Sequence, residues 1–274
     1  LGIAPFNPKL SILLKLLRNH NIFYHTSYTH WDGTVVAHKP RTPKDINLWR
    51  DFTKHKTRHI FAVSEKTKQE LVNNDFAICD KVTVVNHSYS IPIIPISKNK
   101  NNTFIYVGRL TENKGISEIL NFFASTPQAN LIIAGKGEKI NLVKEFDNKY
   151  DNIKYVGYIN GLTNLLPFYS QADFVIMNSH RSSSWEELFG ISIIEGMACG
   201  CVPLATDHSG PKEIIQNGIN GFITTEGNMP TLLSQMILLK NEKYQEIKTN
   251  AINTGQSFHS SIIANRWNPI LENI

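Results

Sequence analysis

Four ionisable side chains in the second half of this 274-residue sequence, Arg109, Lys114, Glu187 and Glu195, lie where short apolar runs give way to polar loops. Thr103-Phe104-Ile105-Tyr106-Val107 reads as a strand that ends in Gly108-Arg109-Leu110, and Lys114-Gly115 follows closely. In open parallel sheets ligands bind beyond the carboxyl ends of the strands. Glycine at 108 lets backbone approach a ligand, Arg can fork onto two oxygens and Lys adds a point charge, a combination suited to a diphosphate. Taken alone, the pair is better explained as two surface cations around a helix start. The richer stretch runs from Asn178 to Gly190, a polar loop that ends in Phe189-Gly190 and enters an apolar helix. The amides of Phe189 to Ser192 then stand at a helix N-terminus, where orphan donors and the helix dipole favour an anion. Glu187 before that helix and Glu195 inside it would repel a phosphate they touched. They fit better gripping neutral hydroxyls on either side of it; the alternative is a Glu187 that only stabilises the dipole and a Glu195 satisfied among Ile193, Ile194, Met197 and Ala198.

Other motifs exclude more than they assign. Gly135-Lys136-Gly137 begins like a dinucleotide-binding G-x-G-x-x-G, but its third position is Ile140 and no acidic residue ends a strand about 20 residues on. No G-x-x-x-x-G-K-[ST] occurs, which removes a P-loop nucleotidase. The three cysteines, Cys79, Cys199 and Cys201, form no C-x-x-C pair, so free thiols in a reducing compartment fit better than disulfides or a zinc site.

These residues need a scaffold, and the sequence supplies one. An apolar fraction of 41% with 19% charged residues suits a packed core, and no run approaches the ~18 apolar residues of a membrane-spanning helix. In the second half, strands at 103–107, 131–134, 153–156, 174–177 and 202–205 alternate with helical patterns, and 221–223 reads as an edge segment. Such alternation predicts an α/β fold whose parallel sheet is covered on both faces. The first hundred residues carry fewer strands, at 22–24, 60–63 and 82–85, with helices over 8–19, 43–54 and 65–73. Ile91 to Asn102 reads as an extended linker, which puts a boundary near residue 98.

The net charge of +5 is uneven: residues 1–100 hold 15 Lys/Arg against 7 Asp/Glu, and the remainder 13 against 16. A basic half suggests an anionic partner or simply a solvated lysine-rich surface. Ile12 to Leu17, interspersed with Lys9, Lys15 and Arg18, predicts an amphipathic helix rather than a signal peptide.

Taken in order, Val107-Gly108-Arg109-Leu110, Lys114-Gly115, Ala134-Gly135-Lys136-Gly137, Tyr155-Val156-Gly157-Tyr158, Glu187-x7-Glu195 with Phe189-Gly190, Met197 to Pro203 and Gly218-x2-Gly221-Phe222 resemble the donor-binding domain of group 1 (family 4) retaining glycosyltransferases of the GT-B fold. The resemblance is dense over residues 103–223. It implies two Rossmann-like domains facing across a cleft: a partial N-terminal acceptor-side domain over 1–97, a donor-binding domain over 98–258 and a terminal helix over 259–274 that crosses back, with Trp267 fitting that helix and Pro269 kinking it. With no initiator Met, the start of the N-terminal domain is expected to be missing. The resemblance further implies that Arg109 and Lys114 bind the donor diphosphate, Glu187 the donor sugar and Glu195 the ribose hydroxyls. Backbone at Phe189, Gly190 and Ile191 serves sugar and phosphate, Tyr158 and Ile159 lie where the base is held, and Gly108 and Gly135 complete the donor site. His25, ending the run Phe23-Tyr24-His25, corresponds to a histidine facing the donor sugar, which makes His25, Arg109, Lys114 and Glu187 the expected catalytic set. His30 and Asp32 are read as acceptor-side loop.

Two departures stand out: the loop from Ser179 to Glu186 is Ser-rich, and Asn86-His87-Ser88 replaces a Pro-Asn-Gly. Without an Asp-x-Asp, neither metal nor cofactor is expected. The resulting expectation is a retaining, metal-independent transfer of a hexose-type sugar from a nucleoside-diphosphate sugar to a glycan or lipid-linked hydroxyl. The enzyme would be cytoplasmic, held at the inner face of the membrane through its basic half, and would bind no nucleic acid. The alternatives are a sugar-nucleotide epimerase of related architecture and, in another class, a basic module for anionic membranes or nucleic acid.

Overall fold

The computed structural model describes residues 1–31, 42–93, 99–182 and 185–268. Asp32, the middle of the expected linker (94–98), Ser183, Ser184 and Pro269 lie outside the described residues. The first half comprises α1 (Leu10–Leu16), β1 (Ile22–Thr26), α2 (Pro43–Asp51), β2 (Thr57–Ala62), α3 (Glu65–Asn73) and β3 (Val82–Val84). Its strands pair in parallel in the order β1-β2-β3. The second half begins with β4 (Thr103–Arg109), α4 (Ile116–Ala124), β5 (Asn130–Lys136), α5 (Ile140–Lys149), β6 (Ile153–Gly157) and α6 (Leu162–Tyr169). It continues with β7 (Phe174–Met177), α7 (Ile191–Ala198), β8 (Val202–Thr206), α8 (Ser209–Ile214), β9 (Phe222–Thr224), α9 (Met229–Leu238), α10 (Asn241–Gln256) and α11 (Ser260–Ile263).

The second sheet is parallel throughout, in the order β6-β5-β4-β7-β8-β9. The chain builds outward from β4 in one direction, then returns to β4's other side with β7, so the strand order reverses between them. In doubly wound sheets that reversal opens a crevice at the carboxyl ends. The sheet that carries it is packed in apolar layers: Phe104 stacks on Phe174 with centroids 4.8 Å apart, and Ile119, Leu120 and Phe123 of α4 are fully buried in the same core. At the opposite end of the strands, buried Asp173 ties the amino ends of β4 and β7 together, accepting from the amides of Asn101 (2.8 Å) and Thr103 (3.0 Å).

Local chemistry sets the starts of α2 and α3. Thr42 and Asp45 form a capping box with Pro43 in the first turn of α2, and the Ser64 hydroxyl caps α3. The expected helix over 43–54 instead gives way after Asp51 to a π-helical turn, Phe52–Lys56. There Thr53 Oγ1 donates to Trp49 O and Thr57 Oγ1 to Thr53 O, both at 2.8 Å, a side-chain competition that loosens a regular helix. Residues 260–267 form α11 and a short 3₁₀ turn, Ala264–Trp267, rather than one continuous helix. Trp267 nonetheless reaches the first half, its ring 4.0 Å from that of Phe61. A second link is Glu213 of α8, whose carboxylate accepts the amides of Glu65 (2.9 Å) and Lys66 (2.8 Å) at the start of α3.

Candidate active site

The carboxyl ends of β4 and β7 and the N-terminus of α7 enclose a cavity of about 400 Å³ lined by Gly108, Arg109, Lys114, Glu187, Phe189, Gly190, Ile191 and Glu195, among others. Eight of the expected donor-site residues therefore converge, although they are spread over three loops. Lys114 meets Glu187 directly in an ion pair that is largely shielded from solvent. This differs from the expected division of labour, in which cations and carboxylates stand apart: here the carboxylate expected on the sugar side neutralises one of the cations expected at the phosphate. Ser179 Oγ donates to the same Glu187 oxygen at 3.3 Å.

Trp185 caps the cations. Its ring lies 4.7 Å from Lys114 Nζ and 5.9 Å from the Arg109 guanidinium carbon, so one aromatic face attracts two like charges that would otherwise repel. Tyr106, buried under the cavity, donates from its hydroxyl to Arg109 O at 2.6 Å and fixes the end of β4. Gly190, at φ 133°, occupies a conformation that favours glycine and turns the chain from Phe189 into α7. The first amides of α7 lack intrahelical acceptors and are available to an anion.

Glu195 sits in the first turns of α7, where the Tyr169 hydroxyl donates to it at 3.2 Å. Burial pushes its pKa up to about 7, partly offset by that hydrogen bond. Gly135, Tyr158 and Ile159 line a second, mostly apolar cavity of about 250 Å³ that shares Val107, Gly108 and Arg109 with the first. Lys136 Nζ lies 4.0 Å above the Tyr158 ring at its rim. Gly135 permits this junction, since a Cβ there would lie 1.9 Å from Gly108 O.

From the first half, Ser27 and His87 line the main cavity. His25 is half-buried and outside that lining, its ring 6.3 Å from that of His87, which in turn stands edge-on to Phe189 at 5.1 Å. Burial holds both imidazoles below the ordinary histidine range. His87, Trp185 and Tyr106 are the lining or capping residues that sequence reasoning did not single out. The replacement of Pro-Asn-Gly by Asn86-His87-Ser88 was the available signal for His87. His30 approaches Glu186 at 3.8 Å, and Thr29 Oγ1 donates to Glu186 at 3.4 Å, so the loop after β1 does face the donor-side loop.

With this geometry in place, comparison with known proteins is decisive for the family. The model of the family "Glycosyl transferases group 1" matches residues 91–256. The chain belongs to the group 1 glycosyl transferases. Among curated relatives, the capsular polysaccharide biosynthesis glycosyltransferase CapM of Staphylococcus aureus is 26% identical over 67% of this chain and 52% of its own length. The O-antigen biosynthesis glycosyltransferase WbnH of Escherichia coli is 24% identical over 77% of this chain and 59% of its own. The chain thus spans about half the length of the curated relatives it matches. Among solved structures, Anabaena HepE in complex with UDP superposes with a TM-score of 0.75 at 19% identity, covering 96% of this chain and 75% of HepE. Sucrose-phosphate synthase from Thermosynechococcus elongatus gives 0.74 at 18% identity, covering 96% and 71%. These likenesses establish the GT-B architecture of two Rossmann-like domains.

Proposed function

We propose that this chain binds a nucleoside-diphosphate sugar and carries out a metal-independent, retaining transfer of a hexose to a hydroxyl acceptor in polysaccharide or glycolipid assembly. The observation that carries the reading is the convergence of Arg109, Lys114 and the N-terminus of α7 in one cavity with Glu187 and Glu195. As the anomeric C–O bond breaks, negative charge grows on the leaving diphosphate. Two cations and preorganised amides hold that charge more tightly than the ground state, which lowers the barrier. Glu187, released from Lys114 by the incoming phosphate, accepts hydrogen bonds from sugar hydroxyls. Glu195 accepts them from the ribose, and the apolar cavity beside Tyr158 takes the base. Retention follows from attack on the face the phosphate leaves, with no protein nucleophile. His25 and His87 form the acceptor-side wall, His25 acting through His87 or after closure of the cleft.

The test is a thermal-shift panel of nucleoside-diphosphate sugars, led by UDP-glucose because HepE is also described with that ligand, followed by the anomeric configuration of the product. Ligand at about 100 times its Kd raises stability by ~2.7 kcal/mol, enough to rank donors. An inverted product, or a panel without response, overturns the reading, and conversion of donor without acceptor points to the epimerase alternative.

A second proposal concerns location. Ile12 and Leu16 of α1 are 60% and 69% exposed on the basic half of the chain, a combination that suits the anionic inner face of a cell membrane. Sedimentation with liposomes tests it: binding should require anionic lipid and vanish in high salt.

A further inference from the structure

The start of α8, from its N-cap His208 through Ser209 and Gly210, touches the dipeptide Glu186-Glu187 with three consecutive residues. His208 is wholly buried, and its Nδ1 accepts the Glu187 N–H at 3.0 Å. Ser209 Oγ lies 2.9 Å from each oxygen of the Glu186 carboxylate, and the Gly210 N–H donates to Glu187 O at 3.0 Å. The approach is tight enough that a Cβ at position 210 would sit 2.2 Å from Phe189 N. None of the three lines the cavity.

The tautomer of His208 follows from its partners. A ring nitrogen that accepts a hydrogen bond carries no proton, so Nε2 bears it and donates to Ser179 O at 2.8 Å. The imidazole thereby joins the end of β7 to the backbone of Glu187, whose carboxylate also receives the Ser179 hydroxyl. We infer that His208 is a positioning residue for the sugar-side carboxylate: as the neutral Nε2–H tautomer it fixes the Glu187 backbone so that Glu187 faces the cavity while Glu186 faces the first half. This rests on the donor-site reading of Glu187 given above.

Protonation would set an N–H against an N–H and release that hold. Burial, the largest influence, and Arg181 keep the ring's pKa below the ordinary histidine range, against the opposing pull of Ser179 O, Glu226 and Glu186. Glu226 approaches Nε2 at 3.3 Å, and Asp207 is paired with Arg181 at 3.1 Å. The neutral ring therefore persists at neutral pH, and the hold fails only on the acid side of an ordinary histidine titration.

Two measurements on the full chain test this. Histidine-selective ¹⁵N NMR reads the tautomer without any donor, and calorimetry compares UDP with UDP-glucose in wild type, His208→Ala and His208→Gln. Gln can accept at one end and donate at the other, whereas Ala can do neither. The expected result is an Nε2–H ring at neutral pH and a loss of about 10- to 100-fold in UDP-glucose affinity for H208A, the range for leaving the shielded Glu187 N–H unpartnered, while the Ser179 carbonyl keeps the Thr206 hydroxyl at 2.7 Å. UDP affinity does not fall, since loosening Glu187 can only free Lys114 for the phosphate, and H208Q recovers most of the UDP-glucose loss. The ratio of UDP-glucose to UDP affinity in wild type divided by that in H208Q falls with acid pH, the titration of UDP's own terminal phosphate (about pH 6) being common to both proteins and cancelling. Glu195 does not disturb that ratio, because it acts on the ribose common to both ligands. An Nδ1–H tautomer, an H208A protein with wild-type discrimination, or equal loss of both ligands overturns the inference. Should H208A fail to fold, the pH dependence of the ratio in wild type against H208Q decides alone. If wild type binds neither ligand, the donor-site reading fails instead, and the NMR result still reports on the His208 hydrogen bonds.

Discussion

Glu195→Gln isolates the energetic cost of an ionised carboxylate in the donor site. The carboxyl is pushed up from 4.5 to about 7, and each unit corresponds to about 1.4 kcal/mol, so the full displacement amounts to about 3 kcal/mol. Between those two values the folded protein holds a proton that the unfolded chain has released. The group's contribution to stability is therefore complete below about pH 4.5 and is lost as pH rises through about 7. Gln keeps the size and can still accept from Tyr169 Oη but has no proton to lose. Urea unfolding should then show E195Q and wild type nearly equal at pH 4.5 and E195Q more stable by up to about 3 kcal/mol at pH 8. The same proton couples to ligand, because ribose hydroxyls donate better to a carboxylate than to a carboxylic acid. In wild type, UDP should bind roughly 30-fold more weakly at pH 5.5 than at pH 8, and calorimetry near pH 7 in buffers of different ionisation heat should show release of about half a proton. A stability difference that is constant across this pH range, with a flat binding curve, refutes the reasoning: Glu195 would then titrate as an ordinary carboxylate.

Lys114→Ala should lower kcat by about 10²–10³ while its melting temperature stays close to that of wild type, because the side chain is not part of the apolar core; full turnover in this variant would remove Lys114 from the mechanism. Glu187→Gln should bind UDP more tightly, having lost the competitor for Lys114, yet bind UDP-glucose more weakly relative to UDP; calorimetry reads both. Gly135→Ala should cost several kcal/mol of stability by forcing β4 and β5 apart at their carboxyl ends, with a lower urea midpoint and weakened UDP binding together. Transfer activity should survive EDTA, since Arg109, Lys114 and the α7 amides supply the charge stabilisation.

Much of the scaffold was legible because its signals are local. Continuous apolar strands followed by glycine or polar residues gave the parallel sheet, and the helix expected over 65–73 is α3. Helices α9 and α10 were not read from the sequence, although Tyr244, Ile247, Ala251 and Gly255 form one buried face of α10; interspersed polar residues masked that periodicity. In the site, each cation and carboxylate was identifiable by its place after a strand or at a helix start. Their pairing was not, because Lys114 and Glu187 are 73 residues apart and meet only through the β4–β7 neighbourhood. The grip of Glu213 on the start of α3 likewise arises between elements that leave no mark on each other's sequence.

The placement of β4 beside β7 also dictates when the site can exist during folding. Phe104, Ile105 and Tyr106 pair with Phe174, Val175 and Ile176, across a loop that contains two intervening strands and three helices. Closing that loop carries a large chain-entropy cost before any contact repays it. During synthesis β4 has neighbours on one flank only until the segment through Met177 has emerged, and the N-terminus of α7 arrives later still. Binding competence is therefore a late, all-or-none property of the completed sheet. Nucleotide added to a refolding reaction should act on the final docking of β7 and α7 and leave the collapse of the β4–β6 portion untouched.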